Sequence, residues 1–168
     1  MVEKAKKTVA ITIRRERQGV PRVIIAVGFK LRPDKGTGLL DVLLEAGGQR
    51  GERVSLDAFL LRKNLQELKR YAASIVGDQD DGAKREEVIC PAGPVYANIV
   101  HFCQLGSRAE TTFGLFSMSD WVEATRQTDG NKTPEIKSVD NVVVMSSAGF
   151  QKKLLLEMIL ALGQEANE

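Results

Sequence analysis

The sequence predicts an α+β fold of two tandem β4α modules, with antiparallel sheets packed on helices. Three observations predict it. Short runs in which apolar and polar residues alternate recur through both halves of the chain. Two long helical segments with apolar stripes, one before the middle and one at the end, each follow directly on a strand-like run. A polar, glycine-bearing stretch separates the halves. The 168 residues therefore read as a single domain, with a first module at about 1–77, a linker at 78–87 and a second module at 88–168.

The elements follow in order. Thr8 to Glu16 alternates, with Val9, Ile11 and Ile13 on one side and Ala10, Thr12 and Arg14 on the other, as a half-buried strand does. After the turn signal "RQGVP", Arg22 to Arg32 places Val23, Ile25, Val27, Phe29 and Leu31 on one face, a second strand expected to hairpin with the first. "PDKGTG" leads to a third strand at Leu39 to Glu45, and "AGGQRGE" to a short fourth at Arg53 to Leu56. Asp57 can cap a helix whose Leu61, Leu65, Leu68, Ala72 and Ile75 form a stripe able to cover the sheet. "GDQDDGAKREE" reads as an exposed linker.

In the second half, extended runs are expected at Val95 to Leu105, Glu110 to Met118, Trp121 to Arg126 and Ile136 to Met145. A helix from about Ala148, capped by Ser146 or Ser147, closes the chain. Its "FQKKLLLEMILAL" is apolar on more than one stripe, which predicts burial on two sides.

The stretch "RVSLDAFLLRKNLQELKRYAASI", where a last strand runs almost directly into a helix, resembles the end of a module of the Whirly family and, in related form, of the PUR-repeat proteins. The resemblance covers the whole chain as a pattern of four strands and a helix, twice; the "KGKAAL" signature associated with plant Whirly proteins is absent. It implies binding of single-stranded nucleic acid on open sheet faces or edges, with oligomerisation extending the surface. No family residue is carried over, so the site is argued from this sequence.

Composition bounds the alternatives. Hydrophobic residues at 43% and charged residues at 27% are ordinary for a globular chain. There is no run of about 18 apolar residues and no secretory pattern at the start, so neither a membrane partner nor export is expected. Cys90 and Cys103 are too few for a disulfide scaffold or a zinc site, and a reducing cytoplasm is the expected location. Seventeen Lys/Arg face eleven Asp/Glu in residues 1–84, against seven facing eleven in 85–168. The excess lies mainly in residues 1–35, where ten cations face three carboxylates, and such a local field points to an anionic partner.

With Val9, Ile11, Ile13, Val23, Ile25, Val27 and Phe29 turned to the helix, the opposite face carries Ala10, Thr12, Arg14, Ile24, Ala26, Gly28, Lys30 and Arg32. Small or apolar central residues leave room for bases, and cations at the strand ends reach phosphates. The expected contacts are Arg14, Arg15, Arg17, Arg22, Lys30 and Arg32. Of the aromatic residues, Tyr96, Phe116 and Trp121 lie in the acidic half and are expected in the core or an interface. A second expected use is assembly without nucleic acid, in which the terminal helix, through Leu155 and Ile159, pairs with its copy in a homo-oligomer.

Catalytic signals are poor, and an enzyme is not expected. His101 is the sole histidine, in a strand, and Cys103 beside it lacks an orienting partner. "DQDDG" lacks calcium-loop spacing, and "GGQRG" lacks the Lys-Ser/Thr of a phosphate loop. No cofactor and no metal are expected.

Overall fold

The structure, a computed structural model, describes residues 12–16, 21–48, 50–91, 93–126 and 134–165. The alternating runs form eight strands: β1 (Thr12–Glu16), β2 (Arg22–Asp34), β3 (Leu39–Ala46), β4 (Glu52–Asp57), β5 (Val95–Ala97), β6 (Ile99–Leu105), β7 (Arg108–Phe116) and β8 (Glu135–Ser147). The helices are α1 (Ala58–Lys63), α2 (Leu65–Ser74), α3 (Met118–Arg126) and α4 (Ala148–Glu165), with a 3-10 turn at Asp81–Ala83. The fold is α+β, with one mixed eight-stranded sheet.

Two antiparallel meanders, β2–β3–β4 and β6–β7–β8, make most of that sheet, in the order β5-β4-β3-β2-β8-β7-β6. They are joined by a parallel seam in which Arg22–Ile25 of β2 lies against Val142–Met145 of β8. β1 also runs parallel to β8, against Glu135–Val139, and β5 runs parallel to β4. The expected hairpin between the first two strands is therefore absent: β1 and β2 follow one another along the same edge of β8. The thirteen-residue β8 is long enough to hold both, and its buried Val142–Val144 run is best covered by a strand on each edge.

Each meander runs straight into a helix, and each junction is closed in the same way. Asp57 Oδ1 accepts a hydrogen bond from Leu60 N at 3.1 Å, and Ser147 Oγ accepts one from Phe150 N at 3.0 Å. The expected single helix after β4 breaks at Asn64, whose N–H closes on Leu61 O in a tightened last turn. The extended run expected at Trp121 to Arg126 is instead α3. Ser117 Oγ accepts from Asp120 N at its start, and Trp121 and Ala124 fall three apart on its inner side, a helical spacing in a segment too short to show its period in sequence. The run expected from Val95 to Leu105 is two strands divided at buried Asn98, whose amide both donates to Phe116 O and accepts from Phe116 N, each at 2.9 Å.

α4 is the centre of the core. Phe150, Leu154, Leu155, Met158 and Leu162 are buried against β2, β7 and β8 on one side and α1 and α2 on the other. Phe29 meets Phe150 edge-on at 5.6 Å between ring centres. Of the expected stripe, Leu61, Leu68, Ala72 and Ile75 are buried and Leu65 is half-buried against the core. α4 is enclosed by its own sheet and helices, so that Leu155 is fully buried and Ile159 is half-buried against the core.

The segment after α2 is not a free linker. Ala83 is fully buried, Arg85 N donates to Phe29 O at 2.8 Å, and Asp80 N donates to Gly149 O at 3.0 Å. It fills the edge of β2 beyond the point where β8 leaves it. Among the described residues, no helix is long and apolar enough to cross a membrane.

Candidate functional site

A single inserted residue in β2 decides which face of this strand is open. Ala26 pairs with Ala46 and Gly28 with Glu45, so Val27 is a bulge and the side-chain alternation changes phase there. Before the bulge the even residues point inward: Ile24 and Ala26 are buried. After it the odd residues do: Phe29 is fully buried and Leu31 packs on the core. The expected open-face positions Ile24 and Ala26 thus belong to the core, and Val23, Ile25 and Val27, expected inside, are 54%, 62% and 42% exposed. Alternation read across the strand could not reveal a change of phase that only the pairing partner imposes.

The exposed residues sit in register with neighbours. Val23 pairs with Val143, which pairs with Thr112 and then His101; Ile25 pairs with Met145, then Glu110, then Cys103. Registered residues share a face, so an apolar ridge on β2 lies beside half-buried Met145 and buried Val143. Beyond Val27 the ridge is closed by Arg85. Its guanidinium lies over Gly28, where a Cβ would come within 2.7 Å of Nε, and it donates to Glu45 Oε2 at 3.1 Å and Val27 O at 3.2 Å. Arg85 is a cation at the end of the ridge that sequence reading assigned to a linker; the only signal for it was the glycine it covers.

The six expected phosphate contacts do not form one track. Arg14 is exposed on β1 and pairs loosely with Glu135 at 3.7 Å. Arg15 is bidentate to buried Asp140, at 3.2 and 3.0 Å. Arg22 is bidentate to buried Glu52, at 3.2 and 3.0 Å. Arg32 approaches buried Asp41 at 3.6 Å, where Arg53 at 2.7 Å and Ser55 at 2.6 Å also bind. Lys30 borders a groove between β2, residues 84–86 and the end of α4, facing Lys84 and Glu157. Arg17 lies outside the described residues. Arg22 and Arg32 nevertheless remain half-exposed, and a guanidinium bound to one carboxylate keeps further N–H groups for a second anion.

Aromatic residues stay away from the ridge. Phe113 is fully buried, Phe102 stacks on Tyr71 at 5.1 Å, and Phe116 packs on Trp121 at 5.5 Å in a satellite core with Ile13, Leu60 and Ile136. Tyr96 is half-exposed, and its hydroxyl donates to Asp57 at 3.2 Å.

The groups weighed for catalysis have structural surroundings. Burial, and then the Arg15 charge, lower the His101 pKa below its ordinary value, while Asp140 acts the other way; its Nε2 is buried without a hydrogen-bond partner among the described residues. Burial pushes the Cys90 thiol up, away from the thiolate a nucleophile needs, and its Sγ donates to Glu52 O. Among the described residues no group of three or more His, Cys, Asp or Glu side chains is placed to hold a metal ion.

Comparison with known proteins leaves the chain on its own: no family model, no curated protein and no solved structure matches it.

Proposed function

We propose that the chain binds single-stranded nucleic acid, largely without sequence reading, on the open side of the sheet at β2. The observation that carries this reading is the Val23–Ile25–Val27 ridge, a contiguous apolar strip on a strand whose other side is fully packed. Exposed apolar strips bordered by polar groups mark interaction surfaces. Single-strand binders combine a flat surface for bases with cations for the backbone. The ridge supports the first requirement, with aliphatic side chains in place of aromatic rings. Half-exposed Arg32, with Lys30 and Arg85, supports the second, whereas Arg22, in register with buried Val142, lies on the opposite face.

Because Arg32 and Arg85 already hold carboxylates, a phosphate at either shares or displaces an internal partner. Salt dependence is therefore expected but shallow, well below the total slope of about 4 that six cations at about 0.7 per phosphate would give together. The test is fluorescence anisotropy of a labelled mixed-sequence single strand of about 30 nucleotides, ample for known site sizes, against its duplex at low and near-physiological salt. Single-strand-selective, salt-sensitive binding supports the reading; no binding at low salt removes it.

The internal ion pairs favour a second reading, in which the ridge docks protein and the arginines only buttress buried Asp41, Glu52 and Asp140. It predicts no nucleic-acid affinity in the same assay.

We also propose that the halves are two β4α modules that exchange their first strands. Three parallels support this: each meander ends in a helix, each junction carries an Asp or Ser cap that accepts from the N–H three residues on, and the strand preceding each meander pairs in parallel with the last strand of the other one.

A further inference from the structure

Three strand edges of this sheet end without a described neighbour, and two of them are guarded. β5, at one end, is only three residues long and follows Pro94. β1 carries Arg14, Arg15 and Glu16 within five residues. Short edges, prolines and charged side chains are the devices that keep a sheet from adding strands. β6, at the other end, has none of them. Its seven residues, IVHFCQL, include no formal charge at neutral pH and no proline, and β7 is the strand that pairs with it. It ends in Leu105, which at 84% is the most exposed large apolar side chain among the described residues.

The direction of its backbone groups follows from one side chain. Gln151 Nε2 lies 3.0 Å from Glu110 O and 3.5 Å from Cys103 O, so these two carbonyls lie close together between β6 and β7. Cys103 and Glu110 are registered partners, so they form a pair that exchanges both hydrogen bonds. By alternation, the N–H and C=O groups of Val100, Phe102 and Gln104 then point away from β7, toward the open edge.

The strand is complementary to itself. If two copies of β6 meet antiparallel about a two-fold axis at Phe102, the outward groups of Phe102 exchange hydrogen bonds with those of Phe102 in the second copy. The same geometry sets Val100 opposite Gln104, His101 opposite Cys103, and Ile99 opposite Leu105. Apolar meets apolar at the ends, ring meets ring at the centre, and no like charges are opposed, which is the pattern that stabilises cross-strand pairs. The exposed Leu105 is covered twice, once by each copy. Because the same patch serves on both chains, the contact closes at two and leaves no unguarded end.

We propose that β6 is the dimerisation edge of this protein and that its occupant is a second copy of this chain, paired antiparallel about Phe102. The sheet then runs unbroken through both copies. This inference rests on neither reading of the ridge on β2, which lies on the face of the sheet and remains open in the dimer.

The test is light scattering coupled to size exclusion across the micromolar range, on the full chain and on the double variant Cys103→Lys, Leu105→Lys. Both positions are exposed, so the lysines guard the edge without entering the core. The expected result is twice the chain mass for the unmodified protein and a two-fold lower mass for the variant, with unchanged circular dichroism. A cross-link supplies the independent check: with Cys103 replaced by Ser, Phe102→Cys is expected to give a disulfide-linked dimer under mild oxidation. A monomeric unmodified protein overturns the proposal. So does a dimer that survives both lysines, or an open series of aggregates in place of a closed pair.

Discussion

Charge pairs at single residues differ widely in how much of the structure they hold. Glu52 is buried and held by the bidentate guanidinium of Arg22, whereas Glu135 and Arg14 are both exposed and 3.7 Å apart. Removing one partner of a buried pair leaves an uncompensated charge, and removing an exposed partner does little. Arg22→Ala is therefore expected to lower stability by about 2–3 kcal/mol, below the range of about 3–5 kcal/mol for a fully buried pair because Arg22 itself is half-exposed. Arg14→Ala is expected to change it by about 0.5 kcal/mol or less. Urea unfolding of the two variants checks the contrast. His101 gives a pH signature at the same scale. Burial, then the Arg15 charge, hold its folded pKa below the ordinary 6.5. Between that folded value and 6.5 the unfolded chain binds a proton the folded chain does not, so stability falls as pH drops through this window. Thermal melts of the protein and of His101→Gln at several pH values are expected to show this slope in the former and its loss in the latter.

At the scale of elements, what could be read from sequence was whatever repeats with a fixed period. The α2 stripe, the limits of β3 and β8, and the direct strand-to-helix junctions at Asp57 and Ser147 follow from spacing and from cap chemistry alone. The face of β2 did not, because one bulge at Val27 reverses the alternation, and a bulge is a property of two strands. α3 was missed because nine residues with one buried alanine carry too little period to distinguish helix from strand. The candidate cations were legible as residues, but not their partners: Glu52 and Asp140 come from strands distant in sequence, and Asp41 meets Arg32 only through the register of β2 and β3. The close fit at the bulge gives a prediction. Gly28→Ala places a Cβ within 2.7 Å of the Arg85 side chain, so Arg85 must leave Glu45. A loss of about 1–2 kcal/mol is expected, in the range of overpacking, and Arg85→Ala should largely relieve the clash. A double-mutant cycle in urea reads the coupling.

The whole molecule is organised around α4, enclosed between the sheet and α1 with α2. Leu154→Ala at its buried centre is expected to cost about 2–5 kcal/mol, and Leu160→Ala on its exposed side about 0.5 kcal/mol or less. The segment after α2 is tied to this helix electrostatically. Burial of Glu157 opposes its charge, but the Lys84 and Lys153 ammonium groups outweigh burial and hold the carboxyl below its ordinary 4.5. A carboxyl depressed in the folded state stabilises fully above 4.5, and that contribution is lost as pH falls toward the folded value. Glu157→Gln should accordingly flatten the acid limb of the stability curve.

The central claim is that the β2 ridge, rather than the opposite side of that strand, is the binding surface. The most direct measurement is single-strand affinity of Ile25→Asp beside the unmodified protein, by anisotropy at low salt, with the melting temperature of each. Ile25 is exposed, so the fold should tolerate the change. An affinity at least about ten-fold weaker, corresponding to about 1.4 kcal/mol, at an unchanged melting temperature is the predicted result. Unchanged affinity in the folded variant would contradict the account and place any binding elsewhere on the molecule.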